Sequence, residues 1–446
     1  MMLKSINTIY IVASLLLYLI LSPKITGEYV LVNCLTVLSF ISYYSILQMS
    51  ASMNSQFYKK SYLWIEVFLY SFLFVAMYNI LSYYYNDNFF AFNESDALGY
   101  HYSTIEILHK PFIEGVNDYL RNWDVDDLGI ILVIYPFYYI VESNLILNLF
   151  YIFVGTATAL GIFSIGKNFM SKKYAFLSAL AYSLASFTLY FHSTGLKESF
   201  MIMLIILTYA FYYRFLATRK LRYIILGVIF ILPLLLFRPA LLAIIVGSIG
   251  LGTMLTKNGG VSIKIFSFFI ILLFIVMGNY IYTLVMTYFE GGYEYLLYAK
   301  RMDGMIIGSL PFTYVVNVLA QMLGPLPSLV SEKVGITFFS AGLLYRVLLV
   351  FPFWMAIFYI YKTKNDLVYP LIIFVITEML VLVLLLEGLE LRKSMPHIPL
   401  VFIIAFWFLD KYDRKIITFR KPKRFQYFFN FSMFMLILLV AYWNFR

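Results

Sequence analysis

Residues 128–141 read LGIILVIYPFYYIV, and whether this stretch crosses a membrane decides on which side every later part of the chain lies. As a helix rising about 1.5 Å per residue, its 14 residues extend roughly 21 Å, short of the roughly 30 Å hydrocarbon core of a bilayer. Pro136 falls inside it, and an interior proline removes one backbone donor and crowds the carbonyl four residues earlier. The segment is therefore read as lying along the interface or re-entering the membrane. The basic residues support this reading. With the N-terminus inside and 128–141 not crossing, Lys59 and Lys60, then Lys167, Lys172 and Lys173, then Arg214, Arg219, Lys220 and Arg222, then Lys257 and Lys264, then Lys362 and Lys364 all fall inside. So does the dense run KYDRKIITFRKPKR at 411–424. Cytoplasmic loops carry such an excess; a crossing at 128–141 would move every basic loop after it to the other side.

The whole chain is built for lipid. Of its 446 residues, 62% are hydrophobic, 20% aromatic and only 13% charged, far from the balance of a soluble domain. Apolar windows long enough to cross as helices recur from end to end, and the roughly ten-residue alternation of barrel strands is absent. The expected fold is all-α, a polytopic transmembrane helical bundle forming one domain over 1–446. About 13 spans are expected, at 6–22, 29–49, 63–85, 144–165, 175–191, 199–216, 223–237, 240–255, 264–288, 338–361, 367–386, 398–409 and 426–443. The first run follows Lys4 but lacks a small-x-small cleavage site, so it is expected to be a retained helix. The single cysteine, Cys34, excludes an intramolecular disulfide.

This topology leaves outside an extracytoplasmic loop that runs, with its interfacial segment, over 86–141, a second loop at 289–337, and short turns at HSTGLKES, FRPA and EGLELRKSMPH. Over 86–128 the first loop holds nine acids (Asp87, Glu94, Asp96, Glu106, Glu114, Asp118, Asp124, Asp126, Asp127) against Lys110 and Arg121, a net charge of −7 in a chain that is +10 overall. The basic excess thus sets orientation and holds anionic membrane lipids. It does not mark a nucleic-acid surface.

Charged groups at a membrane boundary are costly to keep there and invite a functional reading. Four clusters stand out. In NESDALGYHY (93–102), Asp96 follows the third span, with Glu94 beside it and Tyr100 one helical turn on. Asp96 or Ser95 suits a helix cap, and Asp96 equally suits a catalytic carboxylate; Tyr100 and His101 would line its site. In HSTGLKESFM (192–201), Lys197 and Glu198 interrupt two apolar runs. Lys197 can snorkel, or the pair can bind and orient a phosphate. In FRPAL (237–241), Arg238 precedes a proline suited to a first helical turn, and its guanidinium is either a bidentate phosphate ligand or the partner of a nearby acid. In LEGLELRKSMPHIP (386–399), Glu387, Glu390, Arg392, Lys393 and His397 crowd one turn, and Arg392 and Lys393 are again phosphate candidates. Asp124, Asp126 and Asp127 in WDVDDLG are oxygen donors of the kind a hard divalent cation such as Mg or Mn takes, though such triplets also occur in solvated loops. No other cofactor is implied. In the second loop Glu290, Glu294, Lys300, Arg301 and Asp303 fit a solvated surface. Walker, GxSxG and HExxH sequences are absent.

An outer carboxylate can take a proton from an attacking hydroxyl, while arginine and lysine stabilise charge on a leaving phosphate. A sugar on a lipid phosphate supplies an activated bond and a tail that lies among helices, so glycosyl transfer is the expected reaction. The order of an outer Asp motif, the "KE" hairpin TGLKESF, the Arg-Pro of FRPALL and the late basic turn LRKSMPHIP resembles the GT-C superfamily of integral-membrane glycosyltransferases, above all those of bacterial surface-polysaccharide clusters. The similarity covers roughly residues 63–410. It implies a polyprenyl-phosphate-linked sugar donor, a glycan acceptor and an active site on the extracytoplasmic face of the bacterial inner membrane. The catalytic base then falls on Asp96, or by proximity on Glu94. The chain departs from that family in two ways: an adjacent acidic pair is replaced by Glu94-Ser95-Asp96, and two extra spans precede the motif. An O-antigen polymerase of the Wzy type is a related expectation. A lipid-linked oligosaccharide flippase is the competing class, and it calls for charges in mid-span, where Glu378 is the main example.

Overall fold

The computed structural model describes residues 2–21, 27–92, 96–122, 127–256, 310–329, 334–363, 366–385, 391–419 and 421–445. The expected span at 264–288 and the part of the second loop at 289–309 lie outside these residues, as do Glu94, Asp124, Asp126, Glu387 and Glu390. The described chain is all-helical, with no strand among the described residues.

Three long helices open it: α1 (Met2–Leu21), α2 (Val30–Ser52) and α3 (Lys60–Asn86). Three short ones follow, α4 (Asp96–Leu108), α5 (Phe112–Asn122) and α6 (Leu128–Ile140). The central group comprises α7 (Asn144–Gly166), α8 (Lys172–Ser183), α9 (Ser186–Thr194), α10 (Lys197–Thr218), α11 (Arg222–Ile231) and α12 (Pro239–Leu255). The last third holds α13 (Leu310–Leu323), α14 (Val334–Leu348), α15 (Val350–Thr363), α16 (Tyr369–Leu384), α17 (Leu391–Ser394), α18 (Ile398–Asp413) and α19 (Pro422–Phe445).

Among the described residues, seven helices are long and apolar enough to cross a bilayer: Met2–Leu21, Val30–Ser52, Lys60–Asn86, Asn144–Gly166, Lys197–Thr218, Gly335–Ile360 and Pro422–Phe445. The pair α8 and α9, bent by 51°, makes an eighth if it is one span. The chain is a multi-pass membrane protein. The expected count near thirteen included stretches that fold as shorter apolar helices, 222–236, 239–255 and 369–384 among them. In these stretches Pro233 lies in the 3-10 turn Leu232–Leu236, while Pro239 and Pro370 occupy the first turns of α12 and α16.

The two ends of the bundle carry different chemistry. At one end Lys60 feels the like charges of Arg214 and Lys167, and Asp410 of α18 accepts from the Ser171 hydroxyl at 2.6 Å and the Ser171 amide at 3.2 Å. The Tyr213 hydroxyl donates to the Leu367 carbonyl near the end of α10. At the other end the Asn144 amide donates to the Phe89 carbonyl at 2.6 Å, tying the start of α7 to the chain leaving α3. Between them, Asn148 donates to the Asn79 side chain at 2.9 Å.

Helix α6 spans 13 residues and packs on α4 and on the 3-10 turn before α12. It approaches that turn so closely that a Cβ on Gly129 would stand 2.6 Å from the Phe237 ring. It is one of the shorter apolar helices, laid against α4.

One stretch of non-helical backbone, 324–329, is largely buried. Inside lipid such backbone survives only where protein satisfies its polar groups, and here side chains do so. Arg346 donates to the Leu323 carbonyl and Trp354 to the Met322 carbonyl. Asn444 of α19 accepts from the Leu329 amide at 2.6 Å and donates to the Pro327 carbonyl at 2.8 Å. Gly324, at φ 88°, lies flat beneath the Arg346 guanidinium.

His192, expected in an outer turn, sits inside α9 and is buried. Its ring lies over Gly155 of α7, where an added Cβ would fall 2.1 Å from Cε1. Gly155→Ala is therefore expected to destabilise the protein by about 1–3 kcal/mol through overpacking. Thermal unfolding in detergent checks this: the double variant Gly155→Ala/His192→Ala should recover much of the loss, and independent, additive effects would contradict the contact.

Candidate functional site

Five separate segments deliver charged side chains to the bundle end opposite Lys60. Gly195, at φ 71°, ends α9 in the left-handed conformation that glycine adopts without penalty. Two residues later α10 begins, and its first two positions are Lys197 and Glu198. An acid in a first turn faces the positive end of the helix dipole. Arg238 caps α12 from extended backbone, with Pro239 fixing the first helical dihedral. Asp96 is the first residue of α4, and Arg392 lies in the single turn α17.

Glu198 is the centre. Its side chain is fully shielded from solvent, and Oε1 accepts from Arg392 Nε at 3.1 Å, with Arg238 Nη2 at 3.8 Å. The other oxygen, Oε2, is buried without a hydrogen-bond partner among the described residues. Arg392 reaches further and donates through Nη1 to Asp96 Oδ2, so one guanidinium joins a fully buried carboxylate to a half-exposed one. Beside this triad, Lys197 Nζ donates to Asp127 Oδ1 at 2.5 Å, and the Tyr100 hydroxyl donates to the same oxygen at 3.1 Å. Burial, and then the Asp127 charge, push the Tyr100 phenol far above its ordinary range, which keeps it a proton donor. Among the described residues, three carboxylates (Asp96, Asp127, Glu198) meet three cations (Lys197, Arg238, Arg392). The cluster is balanced in charge, so an arriving anion must compete with carboxylates for the arginines.

The structure thus brings together Asp96, Tyr100, Lys197, Glu198, Arg238 and Arg392. Tyr100 is buried and committed to Asp127, so its ring is not offered to solvent. His101 points elsewhere: its Nδ1 pairs with the Tyr138 hydroxyl at 2.9 Å and its ring packs on Phe90. Lys393 is half-buried next to Arg392. Glu94, the alternative base, lies outside the described residues. Asp127, read from the sequence only as part of an acidic triplet, is a full member of the cluster. Its position immediately before α6 was the available signal, because its neighbour in space, Lys197, is 70 residues away. Among the described residues no group of three metal-binding side chains converges.

A second pair had no sequence signal beyond the mid-span position of Glu378. His397 Nδ1 stands 3.4 Å from Glu378 Oε2, both groups buried, and Arg238 is near enough to act on Glu378 electrostatically. Arg238 therefore stands between the outer cluster and this deeper pair.

No protein-family model matches the sequence, and no curated protein matches it. The geometry is the ground on which a function can be argued.

Removing one member of a buried ion pair strands the other. Glu198→Gln and Arg392→Gln should each lower stability by about 2–4 kcal/mol, below the loss for a wholly enclosed pair because Arg392 is partly exposed. The double variant should lose less than the sum, with a coupling of about 1–3 kcal/mol by thermal unfolding. Additive losses would show that the two do not interact. Burial pushes the His101 imidazole below its ordinary value near 6.5, opposed by Glu142. The unfolded chain then takes up its proton first, so stability should fall as pH drops below about 6.5. Comparing melting temperatures at pH 5 to 8 for wild type and His101→Gln isolates this share: the acid-side loss should shrink in the variant.

Proposed function

We propose that the chain is an integral-membrane glycosyltransferase that moves a sugar or oligosaccharide from a polyprenyl-(di)phosphate donor to a glycan acceptor. In this reading the charged end of the bundle faces away from the cytosol in the bacterial inner membrane, and the reaction serves cell-surface polysaccharide assembly. The single observation that carries it is the meeting of Asp96, Glu198, Arg238, Arg392 and Lys197, drawn from segments up to 296 residues apart, at one end of a lipid-adapted bundle.

The chemistry follows from the pairing. A donor diphosphate competes for Arg392 and Arg238, which present planar forks suited to phosphate oxygens. When Arg392 turns to the phosphate it releases Asp96. The freed carboxylate takes the proton of the acceptor hydroxyl as that oxygen bonds to the anomeric carbon, and the bond from the anomeric carbon to the phosphate oxygen breaks. The electron pair leaves with the lipid phosphate, whose charge the arginines and Lys197 stabilise. Glu198, sealed beneath, holds the arginines in register between turnovers. His101 supports α4 from the side, and Lys393 adds a positive group at the rim.

A repeat-unit polymerase would use the same residues on two lipid-linked oligosaccharides. The buried Glu378–His397 pair is the observation that favours a flippase, since ionisable groups inside a bundle mark pathways.

Asp96→Asn in a well-expressed variant, scored by glycan chain length and composition on whole cells, tests the proposal. Turnover should fall by about 10²- to 10⁴-fold, the usual share of a general base. Loss of polymer with single repeats retained identifies the polymerase form, and loss of one sugar identifies a side-branch transferase. Unchanged glycan removes Asp96 as the base, and accumulation of finished lipid-linked oligosaccharide on the cytosolic leaflet favours the flippase.

A further inference from the structure

At the opposite end of the bundle, α2 and α3 part to leave a groove of about 590 Å3. Ile46, Met49, Leu69 and Leu73 form its apolar walls, with Tyr70 and Glu66 among them. Met49, Leu69 and Leu73 are more than half exposed, at 69%, 59% and 51%, and both helices are long and apolar enough to span a bilayer. In a membrane the mouth of the groove therefore opens toward acyl chains.

Glu66 is the ionisable acid or base in this lining. Its Oε2 is shielded from solvent and receives no hydrogen bond from any described residue. The contrast with Glu198 is direct. Glu198 has two arginines, whereas among the described residues no ion pair joins Glu66 to a cation. A carboxylate held against hydrocarbon without a donor is disfavoured, and the groove open to the bilayer is where a donor can reach it. Glu66 lies six residues into α3, about 9 Å from the first turn, a depth near the boundary of headgroups and acyl chains. Lys59 and Lys60 at that end suit a lipid phosphate.

We propose that this groove binds a membrane phospholipid carrying a primary-ammonium headgroup. One acyl chain lies along Met49, Leu69 and Leu73, and the ammonium donates to the Glu66 carboxylate. A headgroup with phosphate alone would set like charge against Glu66, so the groove discriminates between lipids while the surrounding lysines attract both kinds.

The test is independent of any enzymatic reading. Purified protein in detergent is mixed with phosphatidylethanolamine and phosphatidylglycerol of matched chains, and retained lipid is counted by native mass spectrometry. Wild type should retain the ethanolamine lipid roughly five- to tenfold better, the scale of one charge-assisted pair. Glu66→Gln should abolish that preference while still binding lipid, and Leu69→Trp, which fills the groove, should lower retention of both. Equal retention by wild type, or a preference that survives Glu66→Gln, overturns the proposal. So does a species of twice the mass that Glu66→Gln dissociates, which would make a second copy of the chain the partner.

Discussion

A carboxylate withdrawn from water must find cations, and Glu198 finds two that are distant in the chain. Arg238 follows it by 40 residues and Arg392 by 194. Much of the charged end of the bundle depends on this demand. Because Arg392 also grips Asp96, satisfying Glu198 fixes the start of α4 against the start of α10. Because Arg238 caps α12, the same contact sets the height of that helix. Lys197 and Tyr100, joined on Asp127, then anchor the beginning of α6. Buried ion pairs are poor stabilisers compared with apolar packing of equal volume. Their presence here fixes the positions of the charged side chains relative to one another.

The two ends of the bundle solve the same electrostatic problem differently. At the charged end, acids and bases neutralise each other inside the protein, and an incoming anion must exchange with an existing partner. At the other end Lys60 feels the like charges of Arg214 and Lys167 and Asp410 stands 3.7 Å from Arg414, with anionic headgroups and water able to supply further counter-charge. Between the ends, several buried polar groups are paired across helices. Asn79 bonds Asn148, Tyr209 bonds Ser248, and Asn444 satisfies the bare backbone near Leu329. Where a helix is broken inside the bundle, a side chain from another helix takes over its hydrogen bonds, as lipid requires.

Much of this was legible in the sequence. Long apolar runs announce helices because each must span a fixed thickness, and the short 128–141 segment failed that length test. The motifs LKES, FRPA and LRKS announced boundary charges because so few charges exist elsewhere. The span count is where sequence and structure part: the runs holding Pro233, Pro239 and Pro370 fold as apolar helices shorter than the seven long ones. His192 also read as a turn residue, yet it packs within a helix over Gly155, since a histidine without charge behaves as a flat, half-polar ring that a glycine surface accommodates.

Composition and periodicity by themselves determined that the chain is a helical membrane protein, because the cost of apolar surface in water and of bare backbone in lipid depends on local sequence alone. They also marked which rare charges sit at boundaries. Only the tertiary structure decided which charges meet. Asp96 and Arg392 are 296 residues apart, and no local rule links them. Coulomb attraction in a low-dielectric site acts over a few ångströms, so partnership is settled by how whole helices pack, after the spans themselves are fixed.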